Sequence, residues 1–246
     1  MGLELTGERT VPGVAHENYW FRRHEVAYRF AATHCEGRTV LDAGCGEGYG
    51  TAILAEGATA AAGVELVAAV VDHARTAYPH LEFVQADLCA LPLGEASVDA
   101  VVSLQVIEHL WDIPGYLREV ARVLRPDGLF VCGTPNRLTF TPDSDTPVNP
   151  FHTVEFSPEE LTALLQPRFA QVDLVGVFHG PRLSSTEAER RRTLPDLVLD
   201  DPPEQWPAWL AELVHSVTVD DFVIGEDGLD DSLDLLALAR RPEAIA

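Results

Sequence analysis

The residues best placed to do chemistry are an acid followed by alternating glycines and, further along, an acid–histidine pair. Val40-Leu41 close an apolar run, and Asp42-Ala43-Gly44-Cys45-Gly46-Glu47-Gly48-Tyr49-Gly50 follow. Glycines at such a turn let the backbone fold back tightly and approach a ligand with no Cβ in the way. A helix predicted from Tyr49 to about Glu56 begins beside the loop, as in nucleotide-binding α/β units. Glu65 ends a second strand, Ala60 to Val64. It falls roughly 20 residues past the glycines, where a carboxylate can accept hydrogen bonds from both hydroxyls of a ribose. A third strand, Leu81 to Gln85, leads into Ala86-Asp87-Leu88, and a fourth, Val98 to Ser103, into Gln105-Val106-Ile107-Glu108-His109-Leu110.

The glycine spacing separates two readings. A dinucleotide-binding dehydrogenase spaces its glycines Gly-x-Gly-x-x-Gly, whereas here they run Gly44-x-Gly46-x-Gly48 with Asp42 in front. The Asp-x-Gly-x-Gly-x-Gly loop, the acid after strand two, the Ala-Asp-Leu turn and the Glu-His turn together resemble the class I S-adenosylmethionine-dependent methyltransferases. That resemblance implies an α/β, Rossmann-like fold. Its seven-stranded, mostly parallel sheet has the order 3-2-1-4-5-7-6, with helices on both faces. It also implies roles. Asp42 fixes the glycine loop (Gly44, Cys45, Gly46) through backbone amides, Glu65 holds the ribose and Asp87 the adenine amino group. Leu66 and Leu88 sandwich the base, and Gln105 lines the methionine end. The cofactor is S-adenosylmethionine, leaving as S-adenosylhomocysteine.

Transfer to a hydroxyl gains from a base that takes its proton during attack. His109 follows strand four, and imidazole titrates in the useful range; His152 and His179, on loops expected to overhang the same pocket, are alternatives. Glu108 is read as orienting a base or holding an acceptor hydroxyl. No pair of carboxylates stands at a diagnostic metal spacing, so a divalent metal is not expected.

The elements around these residues follow in order. Glu17-Asn18-Tyr19-Trp20-Phe21-Arg22-Arg23-His24 opens a helix running to about Thr33. Its three cationic residues beside aromatics make Arg23 a candidate for the methionine carboxylate. Arg38 to Thr134 alternates strand and helix, which requires right-handed crossovers and helices on both faces. The Pro- and Asx-rich stretch from Thr134 to His152 reads as a substrate loop, and Ser157-Pro158-Glu159-Glu160 as a capped helix start. Strand six, Gln171 to Phe178, is separated from strand seven, Ser232 to Ala239, by roughly fifty residues, far beyond ordinary loop length. The domain plan is one methyltransferase domain over 1–246. Within it, 1–36 is the N-terminal loop and helix, 37–179 the cofactor-binding core, 180–230 an insertion or lid, and 231–246 the last strand and tail.

Composition bounds the partners. The 246 residues carry a net charge of −22, which argues against nucleic-acid backbones and anionic membrane surfaces. It suits a neutral acceptor such as a carbohydrate. Cys35, Cys45, Cys89 and Cys132 lack metal-ligand spacing and read as free thiols in a reducing cytoplasm. No apolar run of about 18 residues indicates a membrane span.

Longer strings narrow the resemblance: Gly7-Glu8-Arg9-Thr10-Val11-Pro12, Val106-Ile107-Glu108-His109-Leu110-Trp111-Asp112, Asn149-Pro150-Phe151-His152-Thr153 and Phe178-His179-Gly180-Pro181-Arg182-Leu183. They are similar to an actinobacterial methyltransferase group associated with methylglucose lipopolysaccharide synthesis. The resemblance implies O-methylation of glucose, at the 6-hydroxyl, in an α-1,4-glucan. The alternatives are another sugar such as a mannoside, a glycosylated small molecule, or a non-catalytic cofactor-binding subunit; a homodimer is left open. An extended acceptor would call for a groove lined by aromatics such as Tyr19, Trp20 or Trp206.

Overall fold

Thr39–Ala43 forms β1, whose Val40, Leu41 and Ala43 are apolar on both faces because helices cover both sides of the sheet. The computed structural model describes residues 10–142, 144 and 146–241, so Gly7, Glu8, Arg9 and the residues after 241 lie outside the described residues. Beside β1 run β2 (Ala60–Glu65), β3 (Glu82–Gln85), β4 (Val98–Leu104) and β5 (Leu124–Pro135), all parallel. The remaining strands are β6 (Gln171–His179), β7 (Phe222–Gly225) and β8 (Asp234–Arg240). The order across the sheet is β3-β2-β1-β4-β5-β8-β6-β7.

The expected seventh strand is therefore β8, antiparallel to both neighbours, with Val131 opposite Leu238 and Val175 opposite Leu236. The count differs: the sheet has eight strands, not seven. The extra one, β7, comes from the insertion, where Phe222-Val223-Ile224 lie along the outer edge of β6 in antiparallel register. It pairs an edge that would otherwise present open N–H and C=O groups.

The helices are α1 (Asn18–Thr33), α2 (Tyr49–Ala55), α3 (Ala68–Ala77), α4 (Ile113–Val123), α5 (Arg137–Phe140), α6 (Pro158–Leu165), α7 (Pro181–Arg190), α8 (Leu194–Leu199) and α9 (Ala208–Ser216). Several start at a side-chain cap. Asp112 accepts from Gly115 N ahead of α4, and Ser157 and Glu160 exchange a capping box at α6. One face of the sheet packs α4 and α6 through Tyr116, Leu117, Leu161 and Leu165. The other packs α1, α2 and the helices of the insertion.

The insertion docks on α1. Asn18 Nδ2 donates to Val214 O and Val217 O, both at 2.9 Å, and Leu183, Leu210 and Val214 share a core with Tyr19. Tyr19 is fully buried, and Trp20 and Trp206 pack against that core. The three aromatics proposed for an acceptor groove are thus structural. They lie in apolar surroundings because α9 needs a partner for its own Leu210 and Val214.

Candidate functional site

A cleft opens at the carboxyl ends of β1, β2, β3 and β4, where ligands sit in open α/β sheets. The loop after β1 provides its floor. Gly44 adopts φ +85°, and a Cβ there would come within 2.5 Å of Val106. Gly48 adopts φ +86°, and a Cβ would meet Phe83 at 2.8 Å. Both positions need glycine for conformation and for space. Gly44 N and Cys45 N both donate to Val64 O, tying the loop to β2.

Most of the expected cofactor residues meet at this cleft: Gly44, Cys45, Gly46, Glu65, Leu66, Asp87, Leu88 and Gln105 all line it. Glu65 Oε1 accepts from Val67 N at 3.0 Å and Asp87 Oδ1 from Cys89 N at 2.8 Å, so each carboxylate is held by its own turn. Leu66 is 61% exposed and forms a lip of the cleft. Gln105 carries φ +57° on a non-glycine residue, local strain of the kind found at working sites. Its Nε2 donates to Asp234 Oδ1 at 3.0 Å.

Two of the cofactor residues read from the sequence lie behind the cleft. Asp42 accepts from Thr51 Oγ1 at 2.7 Å and from Tyr28 OH at 3.2 Å, not from loop amides. Burial raises its pKa to about 7, against the pull of those two hydrogen bonds. Arg23 does not face the cleft. Its Nε and Nη2 donate to Asp234 Oδ2 and Oδ1 at 2.5 and 2.7 Å, with both side chains almost wholly buried. A guanidinium in the apolar layer between α1 and the sheet needs such a partner, and the nearest carboxylate is Asp234. Arg23 therefore reaches the cleft through Asp234 and Gln105. Arg22 pairs with Glu25 at 2.5 Å, and burial pushes His24 down to about 4, leaving a neutral ring. None of the three expected cations presents a charge to the cleft.

Sequence reading missed Thr10, Glu47 and Tyr49 as lining residues and offered His24 only among the three cations for the methionine carboxylate; all four line the cleft. Thr10 Oγ1 lies 3.1 Å from His24 Nδ1 and 3.0 Å from Tyr49 OH. Glu47, beside Gly46, pairs with His73 at 2.8 Å. Thr10 belongs to the Gly7–Pro12 string but was given no role there, and Tyr49 was visible only as a helix start.

The far end of the cleft holds the histidine. Ile107–His109 is a 3-10 turn after β4, and the loop carrying Phe151 and His152 is stitched onto it by Thr153, whose N donates to Glu108 O at 2.6 Å and whose Oγ1 donates to Leu110 O at 2.9 Å. His109 Nδ1 lies 3.0 Å from Phe151 O. A carbonyl only accepts, so Nδ1 carries the proton and Nε2 the lone pair of the neutral ring. Glu108 is fully buried beside it; Oε2 accepts from Thr134 Oγ1 at 3.0 Å, while Oε1 has no hydrogen-bond partner among the described residues. Burial raises its pKa to about 8. The His152 ring stands edge-on to His109 at 4.9 Å, its Nδ1 2.7 Å from Glu155 Oε1 and its Nε2 accepting from Asn149 Nδ2 at 3.1 Å.

His179 is elsewhere. Its Nε2 lies 2.9 Å from Tyr19 OH and its Nδ1 3.0 Å from Glu187. β6 points its carboxyl end toward the same edge of the sheet, but β5 and β8 intervene between it and β4. Three strand spacings amount to about 14 Å. The insertion, read as a lid, contributes no residue to the described lining of the cleft.

The arrangement can hold a nucleoside between two leucines and two carboxylates and set an imidazole lone pair at the opposite end. Gly46 lines the cleft with open space where a Cβ would stand, a gap that fits a bound cofactor. Residues 41–132 match the family described as methyltransferase domain. A probable S-adenosylmethionine-dependent methyltransferase of Mycobacterium tuberculosis is 49% identical over 98% of this chain and 90% of its own length. Another from Mycolicibacterium smegmatis is 49% identical over 98% and 96%. A methyltransferase from Thermotoga maritima, titled as a possible histamine N-methyltransferase, superposes with a TM-score of 0.61 at 18% identity, covering 90% of this chain and 93% of its own. No helix among the described residues is long and apolar enough to cross a membrane. The chain belongs to the class I S-adenosylmethionine-dependent methyltransferases, and S-adenosylmethionine is its cofactor.

Proposed function

We propose that this enzyme methylates a sugar hydroxyl, the 6-hydroxyl of glucose in an α-1,4-glucan, with His109 as the base. The observation that carries the reading is the His109 tautomer: Phe151 O fixes the proton on Nδ1 and leaves a basic Nε2 at the end of the cofactor cleft. Bound S-adenosylmethionine supplies an electrophilic methyl on a sulfonium. His109 Nε2 takes the acceptor proton as the hydroxyl oxygen attacks, and Phe151 O stabilises the imidazolium that results. Much of the acceleration comes from holding the acceptor in line. Glu65 binds the ribose hydroxyls and Asp87 the adenine amino group, with Leu66 and Leu88 on the faces of the base. Gln105 meets the methionine end, its side chain held by Asp234 and, behind it, Arg23. Asp42 backs the loop from within.

Two exposed aromatics support a carbohydrate. Trp111 is 92% and Phe151 42% exposed, and both flank the His109 turn. An apolar ring with a wet edge suits the C–H face of a pyranose. The net charge of −22 suits an acceptor without phosphates. The test is to incubate the protein with labelled S-adenosylmethionine and α-1,4-gluco-oligosaccharides and locate the label by mass spectrometry and NMR. Label on the glucose 6-oxygen is expected. Label on mannosides or small glycosides alone would discard the glucan.

A further inference from the structure

We propose that Glu108, His109 and His152 form a binding site for a divalent transition-metal ion of the zinc class, at the acceptor end of the cleft. One potential ligand atom from each lies within 4.8 Å of the others. What distinguishes this trio from a chance cluster is how each member is held. Metal-binding histidines donate their second ring N–H to a carbonyl or carboxylate, which fixes the tautomer and aims the lone pair. Both histidines do so here, His109 to Phe151 O at 3.0 Å and His152 to Glu155 Oε1 at 2.7 Å. The carboxylate is oriented too: Thr134 holds Glu108 Oε2, and the buried Oε1 has no hydrogen-bond partner among the described residues, 4.0 Å from His109 Nε2.

Two nitrogens and one carboxylate oxygen favour zinc, cobalt or nickel over magnesium or calcium, which prefer all-oxygen shells. Three protein ligands also leave a fourth position open. Ligand atoms around a tetrahedral zinc stand about 3.3 Å apart, so the three side chains must draw together by about an ångström or slightly more. His152 must also exchange the Asn149 amide for the ion.

The ion and the base role of His109 are mutually exclusive, because both use the same lone pair. Occupancy would switch off proton abstraction at Nε2.

The test uses the full chain after chelator treatment, without acceptor, so it stands apart from the sugar reading. Zn²⁺ is titrated by calorimetry and Co²⁺ by its visible absorption, with Mg²⁺ as contrast and thermal melting as the folding control. One Zn²⁺ per chain is expected, with at least tenfold weaker binding in Glu108→Gln and His152→Gln. Glu155→Gln, which only frees the His152 ring, should weaken binding about tenfold, and it remains informative if a ligand variant fails to fold. No saturable Zn²⁺ binding, or binding unchanged in folded variants, overturns the site.

Discussion

His109 and His179 both stand at or just past the carboxyl end of a strand of the same sheet, both lie near a glutamate, and both read as candidate bases, yet they occupy opposite kinds of environment. His109 sits on a 3-10 turn whose partner is a backbone carbonyl, with its ring at the wall of the cofactor cleft. His179 is enclosed by Tyr19 and Phe222, with one nitrogen near Tyr19 OH and the other near Glu187. One ring nitrogen of His109 carries a lone pair at the cleft; both nitrogens of His179 serve to fasten the insertion to α1. The identity of the residue and its place at a strand end are shared. Strand order and the partners at each nitrogen make the difference.

The comparison breaks most sharply at His109. His109→Gln should lower the transfer rate by about 10²–10⁴-fold with little change in melting temperature, as followed by labelled methyl transfer and thermal melting. If the rate survives, His152 is the next base to test. Next in size is Arg23→Met, which leaves Asp234 buried without its counter-charge. It should cost about 3–5 kcal/mol in denaturant unfolding and weaken cofactor binding through Gln105. His179→Ala should cost about 1–3 kcal/mol, the penalty of leaving buried partners unsatisfied, while the folded fraction retains its turnover. A loss of turnover in folded His179→Ala protein would erase the distinction.

The most gradual effect, spread over several pH units, is that of Asp42. Asp42 has an ordinary pKa of 3.8 in the unfolded chain and about 7 when folded. Between those values only the folded state keeps the proton. Stability is then fullest below about pH 4 and falls as pH rises toward 7, by at most about 1.4 kcal/mol per pH unit. Asp42→Asn should flatten that slope in melts taken from pH 4 to 8.

Much of this site was legible because short-range spacing dictates it. The glycine loop, Glu65, Asp87 and His109 each lie within a few residues of a strand end, and a parallel sheet brings all such ends to one edge. What was missed depends on long-range packing. Arg23 meets Asp234, 211 residues away in sequence, and nothing in the pattern around Arg23 announces a buried carboxylate. Thr10 reaches the cleft only because the segment before α1 folds back over Tyr49. The strand Phe222–Gly225 is four residues long inside a stretch of helical pattern, too short for alternation to stand out. Tyr19 and Trp206 look like groove aromatics until the docking of α9 shows which face they fill.

The position of β8 bears on how the chain is made. On the ribosome, β1 to β7 emerge first, but β8 belongs between β5 and β6. Until it arrives, the nascent sheet has a slot with two open edges, Arg23 lacks its carboxylate, and the Gln105 side chain lacks the oxygen to which it donates. Cofactor affinity should therefore appear late in synthesis and all at once. The gap itself, a pair of unpaired apolar strand edges, is where chaperones or sister chains would find their opening.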